Sequence, residues 1–78
     1  MTNLTDKGLK DEEEYTEFVD KILVDTDRAI MFFDHLNDRD CWLPKYYRDG
    51  RPMIRIEELR HGVEITMPQW LAEEKELI

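Results

Sequence analysis

From Val63 to Met67 the chain alternates, with Val63, Ile65 and Met67 apolar against Glu64 and Thr66. That is the period of a half-buried strand. Pro68 follows and fits the first turn of a helix, where its missing N–H costs nothing. Trp70 and Leu71 recur seven residues later as Leu77 and Ile78, so a helix over about 68–77 carries one apolar stripe. The spacing predicts a strand that runs straight into a short C-terminal helix.

Residues 11–24 carry two patterns. Asp11 is a good N-cap, Glu12 to Glu14 suit a helix N-terminus, and Tyr15, Phe18, Val19 and Ile22 fall at helical spacing. The competing pattern starts later. Lys21-Ile22-Leu23-Val24 and Ala29 to Phe33 are two apolar runs separated by Asp25-Thr26-Asp27-Arg28, which is turn chemistry suited to a hairpin. Helix for 11–20 and strand for about 21–33 stay open side by side, a helix ending near Asp20 being compatible with both.

The middle is broken by turns. Asp34 to Asp40 is a polar, Asp- and Asn-rich turn, and Cys41-Trp42-Leu43 is a short strand that Pro44 ends or places at an edge. Lys45 to Pro52 is a loop containing Asp49-Gly50. Met53 to Ile56 reads as a short strand, and Glu57 to Gly62 as a helical turn or a loop. The predicted fold class is α+β: a small antiparallel sheet of three or four strands with a short C-terminal helix, and an N-terminal helix at 11–20 as the open alternative. Residues 1–10 are polar, without period, and read as a flexible tail; residues 11–78 read as a single small domain.

Composition limits what such a domain does. At 78 residues it buries only about two-thirds of its unfolded surface. Its one cysteine, Cys41, makes no internal disulfide, which fits a reducing cytoplasm and leaves a partner or a homodimer as the source of extra burial. Met1 to Leu4 lacks the basic start of a signal peptide, and no apolar run approaches the roughly 20 residues of a membrane span. Charge is uneven. Residues 1–38 hold four basic and eleven acidic side chains, net −7; residues 39–62 hold six basic and four acidic, net +2; residues 63–78 are net −3. Acidic ends repel nucleic acid and anionic membrane at long range and attract basic protein surfaces.

Three stretches, in order, resemble a group of small proteins encoded by phages and prophages: Thr26-Asp27-Arg28-Ala29-Ile30, then Trp42-Leu43-Pro44-Lys45, then Ile65-Thr66-Met67-Pro68-Gln69-Trp70-Leu71-Ala72-Glu73-Glu74-Lys75. That group pairs T(D/E)(K/R)A(I/L) with W(L/I)PKS and closes on (V/I)T(L/I/V)P.WLAEEKGL. The resemblance spans about residues 22–78. It implies a small β-rich domain finished by a helix, a hairpin before Ala29 and a phage origin, and it supplies no activity. Tyr46-Tyr47 depart from it where a small polar residue follows Lys45, and Glu76 stands where the group has glycine.

Candidate chemistry is sparse. His35, Cys41 and His61 are the only soft ligands and lack metal-site spacing. Asp34 to Asp40 lacks the alternate ligands, central glycine and closing Glu of a calcium loop. Glu57-Glu58 and Glu73-Glu74 read as solvated faces. No nucleophile arrangement or phosphate loop is visible, so the expectation is a non-enzymatic protein without cofactor or metal. Two stretches remain. Trp42, Lys45, Tyr46, Tyr47, Arg48, Arg51 and Arg55 interleave aromatic and basic side chains, a mixture that stacks bases and also forms protein hot spots; its bland reading is core aromatics with charge-balancing arginines. Glu12, Glu13, Glu14, Glu17 and Asp20 form an acidic block, either a solvated rim or a phosphate-like array for the basic groove of another protein. The first expectation is therefore a phage-type protein that binds and inhibits a host protein, of the anti-CRISPR kind, in the host cytoplasm. Glu12, Glu13, Glu14, Glu17, Asp20, Tyr46, Tyr47, Arg48 and Arg51 are its candidate contact residues. The alternative is an accessory factor of phage replication or recombination that binds single-stranded nucleic acid directly.

Overall fold

The computed structural model describes residues 13–78. These form two three-stranded antiparallel sheets and one helix. The first sheet orders β1 (Glu14–Val19), β6 (Gly62–Pro68) and β5 (Arg55–Leu59); the second orders β2 (Val24–Asp25), β3 (Ala29–Asp34) and β4 (Arg39–Pro44). The helix α1 (Gln69–Glu74) continues directly from β6. The class is the α+β expected, with antiparallel strands shared between two sheets. The flexible-tail expectation for residues 1–10 lies outside the described residues, as do Asp11 and Glu12.

Where a helix at 11–20 competed with a strand, residues 14–19 are a strand. The register pairs Tyr15 with Met67, Glu17 with Ile65 and Val19 with Val63. That pairing turns Tyr15, Glu17 and Val19 toward the interior and Glu14, Thr16 and Phe18 away from it. Tyr, Thr, Phe and Val fit a pleated surface well, and docking beside the strongly alternating β6 outweighs the local helical period. The first strand of the predicted hairpin, Lys21 to Val24, shrinks to Val24–Asp25, while its second is β3. Its turn is closed by Thr26, whose Oγ1 accepts from the Ala29 amide at 3.0 Å and donates to the Ala29 carbonyl at 3.0 Å. Lys45 then ties this turn to the exit of β4, its amide donating to Arg28 O at 2.8 Å and its Nζ to Asp25 Oδ1 at 2.6 Å.

Residues 57–59, expected as a helical turn or loop, extend a strand over Arg55–Leu59 that doubles back on β6 through the two residues Arg60 and His61. Gly62 makes this return fit: a Cβ there would lie 2.7 Å from the Val19 carbonyl oxygen. Ile30, Phe32, Cys41 and Leu43 of the second sheet join Val63, Ile65 and Met67 of the first, with Leu71, Ala72 and Leu77, in one buried cluster. Each fully buried large side chain contributes about 1.5–3 kcal/mol.

Two polar devices hold the ends of this core. Asp34 is 2% exposed; its Oδ1 accepts from the Leu36 amide at 3.1 Å and the Asn37 amide at 3.4 Å, and its Oδ2 from Asn37 Nδ2 at 2.8 Å. Asn37 Nδ2 also donates to Glu76 O at 2.9 Å, and Arg39 Nη2 donates to Lys75 O. The Asp-rich turn thus fastens the C-terminal segment. The helix is shorter than expected because Glu76 turns left-handed at φ 63°. The Leu77 amide bonds back to Ala72 O at 2.8 Å and the Glu76 amide to Glu73 O at 3.0 Å, the double closure of a Schellman ending.

Candidate functional site

Strand geometry distributes the acidic block. Successive side chains of a strand face opposite ways, so Glu14 and Glu17 project to opposite faces, and Glu13 stands exposed just before the strand. Glu14 holds Arg55, with Oε2 3.0 Å from Nη1 and Oε1 3.3 Å from Nη2. That hydrogen-bonded guanidinium lowers the Glu14 pKa below its ordinary value. Glu17 is half-buried and accepts from Tyr15 Oη at 2.8 Å. Burial, followed by that carboxylate, raises the Tyr15 pKa. Asp20 is exposed and lies 3.4 Å from His35 Nε2. Glu12 is outside the described residues. The described carboxylates are therefore not one continuous array: two are engaged by Arg55 and Tyr15, and the rest lie at separate margins.

The aromatic–basic loop is built more tightly. Tyr46 and Pro52 bridge its neck, the Tyr47 amide donates to Arg51 O at 2.8 Å, and the Gly50 amide donates to Tyr47 O at 2.9 Å. Gly50 takes φ 93°, the left-handed turn conformation that glycine adopts without strain. Asp49 accepts from the Arg51 amide at 3.1 Å and from Arg51 Nε at 2.8 Å. The backbone bond from Arg51 lowers the Asp49 pKa. Arg51 also lies 4.6 Å from the Tyr47 ring centroid in a cation–π contact. Arg51 and Tyr47 therefore shape the loop, while Tyr46 and Arg48 face solvent. Arg28, contributed by the turn before β3, joins them around a concavity of about 490 Å³ that also touches Asp27. Arg28 is nearly twenty residues away in sequence, and nothing local in the sequence signals its arrival.

A third surface was not anticipated. The outer face of the second sheet sets Val24 opposite Met31 and Met31 opposite Trp42. Phe33 lies on the same face, with the His35 ring edge-on at 4.8 Å. Trp42 is 45% exposed. β3 is thus apolar on both faces: Ile30 and Phe32 serve the core, and Ala29, Met31 and Phe33 line the outside. The uninterrupted run Ala29 to Phe33 is the sequence signal for it, since a one-sided antiparallel strand alternates with polar residues.

Cys41 is buried, and burial raises its thiol pKa, which makes it an inert side chain. Among the described residues no three His, Cys, Asp or Glu side chains gather to hold a metal, and no helix is long and apolar enough to cross a membrane. Compared with known proteins, the chain matches no protein-family model, no curated protein and no solved structure.

Proposed function

We propose that the chain is a non-enzymatic binding module of phage type that docks on a host protein and blocks it, through the outer face of the second sheet. The observation that carries this is Trp42, half-exposed at the end of the apolar row Val24–Met31–Trp42. Aromatic side chains with an apolar surround are what interface anchors are made of. A strand apolar on both sides also normally has something packed on each. Asp40 stands beside Phe33 on this face, and Asp20 reaches its margin through His35. With a net charge of −8, the matching partner has an apolar centre within a basic rim, and association is fast and salt-sensitive. The resemblance to phage-encoded proteins is what makes a host protein, and inhibition, the reading adopted.

The test is affinity capture from bacterial host cells with the wild-type chain, Trp42→Ala and Met31→Thr in parallel. A protein retained by wild type and released by both variants is the expected result. Capture indifferent to both substitutions overturns the assignment of this face.

A second reading rests on the Arg28–Tyr46–Arg48 concavity, which combines an exposed ring with two guanidinium groups as single-strand binders do. Fluorescence titration with single-stranded oligonucleotides at low salt tests it. Binding lost in Tyr46→Ala with Arg48→Ala supports this reading, and no binding at any salt removes it.

A further inference from the structure

β5 is an edge strand exposed along its whole length. Its turn fixes which of its backbone groups are free. Leu59 and Gly62 close a two-residue hairpin, so they form a hydrogen-bonded pair, and the alternation continues with Glu57 opposite Glu64 and Arg55 opposite Thr66. The amides and carbonyls of Arg55, Glu57 and Leu59 are turned toward β6. Those of Ile56 and Glu58 are turned toward the open edge.

A second feature is a local conflict. Glu57 lies directly opposite Glu64, and like charges in that position are destabilising. Among the described residues no ion pair offsets the charge of Glu57, whose other flank is the open edge.

We propose that two copies of this chain associate through their β5 edges, antiparallel, with the two-fold axis at Ile56. The strand order becomes β1-β6-β5 followed by β5-β6-β1 of the second copy. Only even-numbered residues have backbone groups free to pair across such an edge, which leaves three registers near the strand centre. Pairing Ile56 with Glu58 sets Glu57 against Glu57, and pairing Ile54 with Ile56 sets Arg55 against Arg55. Pairing Ile56 with Ile56 sets Arg55 against Glu57 twice. Those two ion pairs lie at non-hydrogen-bonded positions, where opposing side chains come closest. Each Glu57 then has a guanidinium on the flank away from Glu64. Arg55 already holds Glu14 with two of its nitrogens, and its five N–H donors leave capacity for a second carboxylate. So short an edge buries less than the roughly 1,600 Å² of a standard interface, so the dimer is reversible.

Sedimentation equilibrium of the full chain over a wide concentration range tests this, with a monomer–dimer equilibrium expected. Glu57→Arg relieves the conflict with Glu64 inside each copy but opposes Arg55 across the edge. It should weaken the dimer by about 2- to 30-fold, two pairs being worth about 0.2–1 kcal/mol each. Adding Arg55→Glu restores opposite charges and recovers the dimer. Ile56→Pro removes only an edge-facing N–H and abolishes the dimer while the monomer stays folded by circular dichroism. Ile56→Cys should form an intermolecular disulfide faster than Leu36→Cys, which is exposed in the β3–β4 turn. A chain monomeric throughout overturns the proposal. So does a dimer unaffected by Glu57→Arg and Ile56→Pro, or one in which Leu36→Cys cross-links as fast as Ile56→Cys.

Discussion

The two sheets share one interior and differ on their outer faces. Outside the first sheet, Thr16 and Thr66 hydrogen-bond across the strands at 3.1 Å and Arg55 reaches over to Glu14 at 3.0 Å. Outside the second, the corresponding positions are Val24, Met31, Phe33 and Trp42. The first face is finished for water by cross-strand polar pairs at the Glu14–Thr16 end, while Phe18 and Leu59 stay exposed at its other end. The second exposes side chains that gain nothing from water and have no cover among the described residues. In a molecule so small, leaving a tryptophan half in solvent forgoes burial worth about 1.5–3 kcal/mol or more. That loss is informative because the neighbouring sheet shows that the chain does solvate part of an outer face with polar pairs.

The contrast is sharpened most by the two sides of β3. Phe32→Ala, on the inside, should lower unfolding free energy by about 3–5 kcal/mol in urea denaturation. Met31→Thr, one residue away on the outside, should change it by less than about 1 kcal/mol. Equal losses would mean that the outer face is a stability element and not a contact surface. Asp34→Ala comes next: deleting a buried carboxylate that satisfies two amides and Asn37 should cost about 2–3 kcal/mol, and should also loosen the C-terminal segment in hydrogen exchange. Trp42→Ala separates the two roles at one residue, weakening partner capture by about 2 kcal/mol or more at little cost to the melting temperature. Glu76→Gly should stabilise by about 1 kcal/mol, since glycine takes the left-handed conformation freely while only a 3.6 Å contact with Arg39 is lost. The smallest effect concerns Cys41. Its pKa is raised in the folded state, so the unfolded chain loses its thiol proton first. The stability it contributes is complete below about pH 8.5 and declines as pH rises through the folded value. In the native protein the thiol should react with an aromatic disulfide reagent only after unfolding.

Much of this was legible in residue order. Val63, Ile65 and Met67 alternate cleanly and form β6; Cys41 and Leu43 point inward as a short strand should. β1 was ambiguous because Tyr15, Phe18, Val19 and Ile22 satisfy a helical period, and in the strand Phe18 faces solvent at 67% exposure. No local rule places a large apolar side chain there. β5 was hidden for the opposite reason: every residue is exposed, so no alternation marks it, and Glu57-Glu58 favour helix by themselves. Long-range pairing settled both. The loop at Tyr46 to Arg51 was legible as chemistry, but its partner Arg28 was not, since proximity across a fold leaves no mark on spacing. The outer row of the second sheet was half legible: the unbroken run Ala29 to Phe33 marks β3 as apolar on both sides, whereas Trp42 sat in a stretch whose aromatics were open to a core reading.

The pairing of β1 with β6 sets an order in time. Thr16 meets Thr66 across fifty residues of chain, whereas β2, β3 and β4 are joined by neighbouring turns. Closing a long loop costs entropy before any contact repays it, and local pairings form sooner. During synthesis the second sheet is therefore complete while β1 still waits for a strand not yet made. Until β6 emerges, both faces of β3 are bare. The row of Met31, Phe33 and Trp42 is therefore on show before the domain has closed.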